Sequence, residues 1–116
     1  MTGIEGVGAA AASHRGAVTL ARADTPHGEV ALRRRGEVLE LVVDGAFAMD
    51  TVDTSTEVAL AERALRRHPA PHRVLVGGLG LGMTARAVLA DPRVHHVDVV
   101  ELAEPLVCWA RDGLVP

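Results

Sequence analysis

Residues 73–101, RVLVGGLGLGMTARAVLADPRVHHVDVVE, decide the fold of this chain. An apolar run at 74–76 leads into a cluster of glycines and a helical segment, and a second apolar run then ends in an acid, Glu101. The predicted order is therefore strand, glycine loop, helix and strand, with a carboxylate at the carboxyl end of the second strand. This order is typical of a crevice that binds a nucleoside.

The spacing of the glycines and the acid predicts the residues of the site. Residues 78–82 read G-x-G-x-G, the form associated with S-adenosyl ligands, and glycine lets a backbone turn with positive φ and approach a ligand closely. Glu101 follows Gly82 by 19 positions, close to the roughly 20 expected of an acid that holds a ribose. We therefore predict a nucleoside site made of Glu101 with Gly77, Gly78, Gly80 and Gly82.

Two other interpretations of the glycine loop remain open at this point. Gly80, Gly82 and Ala85 fit the pattern G-x-G-x-x-A, so a nicotinamide cofactor is one alternative. This pattern begins later after the strand than a tight strand-to-loop turn prefers. The other alternative is a glycine-rich turn that binds no ligand.

The composition narrows the class of protein. The chain has 116 residues and a net charge of −3, which suits one small domain and argues against a general nucleic-acid binder. No apolar run is long enough to span a membrane, and the single cysteine, Cys108, permits no internal disulfide. The apolar helical pattern around Cys108 predicts a buried thiol. We expect a cytoplasmic protein with no nucleic-acid or membrane partner.

The amino-terminal half predicts an antiparallel sheet. Residues 1–16 are small and unpatterned and predict a disordered leader, and residues 17–53 read as a β-meander. Asp44-Gly45 is a strong two-residue hairpin signal. The predicted strands cover 17–21, 29–34, 38–43 and 46–49.

The remaining residues predict a linking helix and part of an α/β sheet. Residues 54–72 contain a helix and a proline-rich turn, and Thr54 with Glu57 fits a capping box at the start of the helix. Residues 73–116 predict the first β-α-β-α part of a Rossmann-like, class I methyltransferase-type sheet. The predicted elements are a strand at 73–77, a helix at 81–90, a strand at 96–101 and a helix at 103–112.

The end of the sequence bears on how complete this sheet is. A β-α-β-α unit supplies two parallel strands, whereas a doubly wound sheet has several more. The apolar run at 97–100 is typical of an interior strand. We therefore expect a sheet that is incomplete at the carboxyl terminus, a chain truncated relative to the whole fold, and self-association through exposed apolar surface.

Histidines and arginines outside the glycine loop give weaker signals. His95 and His96 are neighbours at a strand entry, so their side chains point to opposite faces and no metal site is predicted. In the run Arg33–Arg35, alternation predicts that at least one side chain points inward or lies along a sheet edge, where charge guards against aggregation.

Three segments together resemble the spermidine synthase (polyamine aminopropyltransferase) family. They are LVVDG at 41–45, RVLVGG at 73–78 and VVEL at 99–102. The resemblance implies a β-meander, a linking helix and a Rossmann-like domain of polyamine biosynthesis. It also implies decarboxylated S-adenosylmethionine or S-adenosylmethionine as a co-substrate, with no tightly bound cofactor, and a polyamine as a second small-molecule partner.

The chain departs from the pattern of this family at positions that the resemblance connects with chemistry. Gly80 replaces an acid that would hold the cationic end of the co-substrate, and Ser55 and Thr56 replace a tyrosine and a histidine or glutamine before Glu57. The family's aspartate that activates the attacking amine would lie beyond Pro116. We therefore assign no catalytic residue and expect the isolated chain to be inactive. A methyltransferase relative and a non-catalytic scaffold remnant remain alternatives.

Overall fold

The protein is described by a computed structural model over residues 16–116. The leader predicted over 1–16 lies outside the described residues except for Gly16. A four-stranded antiparallel sheet is followed by a helix and a β-α-β-α unit, which confirms the predicted fold class. The elements are β1 (Val18–Thr25), β2 (Gly28–Arg35), β3 (Val38–Val43), β4 (Ala46–Asp50), α1 (Ser55–Arg66), β5 (Arg73–Gly77), α2 (Met83–Leu89), β6 (His96–Val100) and α3 (Glu104–Arg111).

The antiparallel sheet is a meander in the order β1-β2-β3-β4. Asp44 and Gly45 adopt φ values of 52° and 81° between β3 and β4, which is the left-handed geometry of a two-residue hairpin turn. The first strand extends to Thr25, further than the predicted 17–21. Its added residues include Arg22 and Asp24, whose exposed side chains alternate with half-buried neighbours and therefore give no apolar run.

The arginine run lies on a central strand and not on an edge, and Arg33 points inward, which is the first of the two arrangements that alternation predicted. β2 pairs with β1 on one side and with β3 on the other. Arg33 and Arg35 both reach the carboxylate of Glu40 on β3, at N–O distances of 3.0 and 2.9 Å. Glu40 is only 3% exposed, so these two cations neutralise a buried acid.

Helix α1 begins where the sequence predicted, but the capping box does not form. Thr54 makes no side-chain hydrogen bond to the helix. Asp53 takes this role instead, because its Oδ1 accepts hydrogen bonds from the backbone N–H and the hydroxyl of Ser55. Ala61 and Leu65 are buried on the inner face of the helix.

The two parallel strands are covered on one face only. β5 and β6 pair in register from Arg73 opposite His96 to Gly77 opposite Val100. One face of this pair packs through Val76 against Ala61 of α1 and Val88 of α2. The other face leaves Leu75 69% and Val100 63% exposed.

A second core cluster joins the meander to the glycine loop. Leu32 of β2 and Leu81 of the loop are both fully buried in it. Leu106 of α3 belongs to the same cluster, so the last helix packs on the meander side. The loop is therefore anchored between the two sheets by an apolar side chain placed within its run of glycines.

The exposure of Cys108 differs from what the sequence predicted. Cys108 is exposed rather than buried, because α3 turns Leu106 and not the thiol into the core.

The longest helix in residues 16–116 has 12 residues, well short of the roughly 20 apolar residues of a membrane span. No helix of this described part qualifies as a candidate membrane span.

Candidate functional site

The predicted site residues meet at the carboxyl ends of β5 and β6. Gly77 ends β5, and the backbone N–H of Gly78 donates to the carbonyl of Val100 at the end of β6, at 2.7 Å. Glu101 follows Val100 directly. Parallel strands end at the same edge of a sheet, so the glycine loop after β5 and Glu101 after β6 lie close together, as their spacing in the sequence predicted.

Left-handed backbone conformations form the loop. Gly78, Gly80 and Gly82 have φ values of 95°, 53° and 80°, a region that residues with a Cβ adopt only at a cost. Gly82 precedes α2 and donates its N–H to the carbonyl of Leu79 at 2.7 Å. The glycine spacing is therefore explained by the backbone geometry of this turn.

Both carboxylate oxygens of Glu101 accept hydrogen bonds from the backbone. Its Oε1 accepts the N–H of Leu79 at 2.7 Å and, more weakly, the N–H of Gly80 at 3.4 Å. Its Oε2 accepts the N–H of Ala103 at 2.8 Å. The carboxylate thus bridges the glycine loop and the segment that leads into α3.

The surroundings of Glu101 favour its ionised form. Partial burial acts to raise the pKa of this carboxyl group, but the backbone N–H donors together outweigh burial. The pKa of Glu101 is therefore below its ordinary value. A carboxylate offers about four acceptor positions. The N–H groups of Leu79 and Ala103 bond it closely and that of Gly80 only at 3.4 Å, while the N–H of Leu102 also contributes to the lowered pKa.

Space next to the loop is open at its first two glycines. A Cβ atom placed on Gly77 or Gly78 would meet nothing within 4 Å. Unlike Gly78, Gly77 does not have a positive φ. Neither backbone strain nor packing within the described residues therefore requires glycine at position 77. A molecule lying against the backbone would require it.

A cleft of about 280 Å³ opens beside the same loop. Its walls come from the end of β4, the first turns of α1 and α2, and the loop itself. Met49, Leu60 and Met83 make much of the wall apolar, and Glu57 is the one charged residue that lines it among the described residues. Met49 and Glu57 converge on the loop only through the fold, and no spacing in the sequence indicates it.

Gly80 and Met49 are packed against each other in this cleft. A Cβ atom on Gly80 would lie 2.7 Å from Sδ of Met49. Any side chain at position 80 therefore requires Met49 to move. The acid that the family resemblance places at this position is absent, and a methionine thioether occupies the space beside it.

The histidines near the opposite end of the parallel pair form no common centre. The ring of His95 stacks on His72 with centroids 4.8 Å apart, whereas His96 Nε2 lies 2.9 Å from an oxygen of Asp98. The neighbouring side chains thus diverge, as strand alternation predicts. Within residues 16–116 no group of three or more potential metal ligands is found.

The combination of a β-meander, a linking helix and a Rossmann-like unit defines a class of folds that includes the spermidine synthases. Two solved structures have this fold: a spermidine synthase in complex with the transition state analogue AdoDATO, and the spermidine synthase from Thermotoga maritima. Each matches 83% of this chain with a TM-score of 0.72 and 22% sequence identity. The match covers 33% of the first chain and 35% of the second.

A curated protein gives the corresponding sequence relationship. Polyamine aminopropyltransferase 2 of Hyperthermus butylicus is 39% identical over 75 residues, which are 64% of this chain. No family model matches. The chain is similar to these proteins in sequence and in fold, and it spans 25% of the length of this curated relative.

Proposed function

We propose that this chain binds an S-adenosyl nucleoside at the carboxyl ends of β5 and β6. The ligand is a co-substrate, decarboxylated S-adenosylmethionine or S-adenosylmethionine, and is not a tightly held cofactor. We assign binding to Glu101 with Gly77, Gly78, Gly80 and Gly82. The proposed division of the chain is a leader at 1–16, a meander at 17–53, a link at 54–72 and a nucleoside-binding part at 73–116.

The observation that carries this proposal is the position of Glu101 against the loop. An ionised carboxylate bonded to the N–H of Leu79 lies beside glycines at which a Cβ would meet open space. The hydroxyls of a ribose can donate to the acceptor positions left on Glu101, and can displace the 3.4 Å bond from Gly80. The nucleoside then lies along the backbone of Gly77 and Gly78.

For the whole protein we propose aminopropyl transfer to a polyamine. The aminopropyl group would pass from the sulfonium of the co-substrate to an amine nitrogen, which loses a proton, and methylthioadenosine would be released. The name of the curated relative and the bound analogue in the solved structure support this reaction class. We propose that residues 1–116 alone supply nucleoside binding and not turnover.

Methyl transfer is the second candidate, and Gly80 is the observation that favours it. An acid at this position would face the amine of an aminopropyl group, and here Met49 Sδ occupies the adjoining space. A methyltransferase relative would bind S-adenosylmethionine with the same glycine loop and the same Glu101.

Calorimetric titration with two ligands tests the proposed site. We expect Glu101→Ala to weaken binding of methylthioadenosine at least about tenfold, because charge-assisted hydrogen bonds are worth about 1.5–3 kcal/mol each. The second ligand, 5′-methylthio-2′,3′-dideoxyadenosine, lacks both ribose hydroxyls. The parent should discriminate between the two ligands, and Glu101→Ala should bind both equally weakly.

Glu104→Ala is the matched control, because Glu104 is an exposed acid in the first turn of α3. It should discriminate between the ligands as the parent does. Equal affinity of parent and Glu101→Ala for methylthioadenosine would contradict the proposed site. Discrimination that persists in Glu101→Ala would assign the ribose contact to another group.

A further inference from the structure

We propose that a groove between α1 and α2 binds an acidic segment of a partner protein. The proposal is independent of the nucleoside site, because none of the residues assigned to that site lines the groove. It is based on the distribution of charge along the chain and on the shape and charge of the groove.

Basic residues are concentrated in one part of the sequence. Residues 63–96 contain six arginines and one acid, Asp91, so this stretch has a net charge of +5 with histidine neutral. The whole chain carries −3, so the residues outside this stretch together carry −8. The protein therefore combines a strongly basic stretch with an acidic remainder.

The arginines of this stretch are exposed to solvent. They are Arg63, Arg66, Arg67, Arg73, Arg86 and Arg93. Within residues 16–116 only Arg93 of these six forms an ion pair, with Asp91 at an N–O distance of 2.8 Å. Cations in the last turns of α1 and α2 complement the helix dipoles, but this local role leaves the guanidinium groups open to carboxylates, which they bind with two parallel hydrogen bonds.

Two adjoining clefts form the groove. The first has a volume of about 480 Å³ and is lined from Thr54, just before α1. The second has a volume of about 520 Å³ and is lined as far as Arg93, beyond α2. Glu62, Ala87 and Ala90 line both clefts, which makes the groove continuous. Because α1 has 12 residues, the groove beside it is roughly 18 Å long at 1.5 Å per residue, enough for a short peptide segment.

Each cleft contains an exposed cation that forms no ion pair within the described residues. Arg86 of α2 lines the first cleft and Arg66 of α1 lines the second. Asp91 is neutralised by Arg93, so Glu62 is the one acid lining the groove that has no ion pair within the described residues. A bound segment therefore meets two guanidinium groups that attract carboxylates and one glutamate that repels them.

These features favour a short acidic segment over a nucleic acid. Phe47 and Trp109 are the aromatic residues of the sequence, and neither lines the groove. The groove therefore offers no aromatic ring on which a base could stack. A long polyanion would also extend onto the remainder of the molecule, which carries −8, whereas a short acidic segment contacts the basic stretch alone.

Fluorescence anisotropy with three labelled probes tests this assignment on the full chain. The probes are an oligoglutamate, an oligoglutamine of the same length and an RNA duplex with the net charge of the oligoglutamate. The parent should bind the oligoglutamate saturably, with an affinity that falls as salt is added. It should bind the RNA more weakly and should not bind the oligoglutamine.

Variants in the two clefts should change the affinity for oligoglutamate in opposite directions. Arg66→Glu and Arg86→Glu should each weaken binding about fivefold or more, because repulsion between like charges replaces attraction. Arg66→Gln should give a smaller loss, and it keeps the test valid if the charge reversal impairs folding. Glu62→Gln should tighten binding, since it removes the repelling acid that both clefts share.

Arg111→Glu is the matched control. Arg111 is an exposed arginine in the last turn of α3 and does not line the groove, and its reversal changes the net charge of the chain by the same amount. It should keep the parental affinity. An equal loss in Arg111→Glu and Arg66→Glu, weaker binding by Glu62→Gln, or no saturable binding of oligoglutamate at millimolar concentration would overturn the proposal. Tighter binding of the RNA duplex than of the oligoglutamate would also overturn it and would indicate a phosphate partner.

Discussion

The backbone N–H of Leu79 donates a 2.7 Å hydrogen bond to Oε1 of Glu101. This contact joins the glycine loop after β5 to the acid after β6, across 22 positions of sequence. Glu101 therefore has a structural role in holding the loop. In the proposed site the same carboxylate would also accept hydrogen bonds from a ribose.

The lowered pKa of Glu101 predicts a dependence of stability on pH. Backbone donors favour its ionised form despite burial, so its folded-state pKa lies below the unfolded value of about 4.3. The resulting stabilisation is present above that value and is lost as pH falls through the folded pKa. We expect Glu101→Gln to be less stable than the parent at pH 7 in urea unfolding, and the difference to shrink below about pH 4. A difference that is constant from pH 7 to pH 3 would contradict this account.

Gly78 is predicted to be required both by the backbone and by the ligand. With φ at 95°, Gly78→Val should destabilise the fold by about 1–2 kcal/mol and should abolish nucleoside binding. Gly36→Val is the control, because Gly36 has φ of 63° in the turn between β2 and β3 and a Cβ there also meets nothing within 4 Å. The control should lose similar stability and keep its affinity for methylthioadenosine. Equal loss of binding in both variants would show that strain alone is responsible.

Gly80 and Met49 are predicted to be energetically coupled. Gly80→Asp places a Cβ 2.7 Å from Sδ of Met49 and should destabilise the protein by about 1 kcal/mol or more. In a background of Met49→Ala the same change should cost less, since the thioether is gone. A double-mutant cycle measured by urea unfolding gives the coupling directly. Additive effects of the two changes would mean that Met49 moves aside without cost.

The uncovered face of the parallel strands is predicted to cause self-association. Leu75 and Val100 are 69% and 63% exposed there, and apolar surface on an open sheet recruits partners. Light scattering of the 116-residue chain should report a mass above that of a monomer, and Leu75→Lys should lower it. Val52→Lys is the control, because Val52 is 67% exposed but lies outside this sheet. A monomeric parent, or an equal effect of both variants, would contradict this prediction.

Local signals in the sequence were sufficient to predict the order of the strands and helices and the position of the glycine loop. Asp44-Gly45 predicted its hairpin because two residues with positive φ leave few other conformations. Glu101 and the glycines come together because parallel strands end at one edge, and the fold class predicts this. The start of α1 was also predicted correctly, although Asp53 rather than Thr54 supplies the side-chain contact.

The features that sequence reasoning missed depend on contacts between distant residues. Nothing near Met49 indicates that it packs against Gly80, and nothing near Glu57 indicates that it lines the cleft. The pairing of Arg33 and Arg35 with Glu40 required knowing that β2 is a central strand. An alternating pattern gives the face of a side chain but not the neighbours that it meets.

Backbone amide shifts in a nitrogen-15 NMR titration with methylthioadenosine test the central claim most directly. The N–H groups of Leu79, Gly80 and Ala103 donate to Glu101, so a ribose that binds this carboxylate must change their surroundings. The account predicts saturable shifts at these three amides and at Gly78, with the amide of Thr51, which bonds Leu39 in the meander, unaffected. Saturable binding that shifts other amides and leaves these unchanged would contradict it, as would no binding at millimolar ligand.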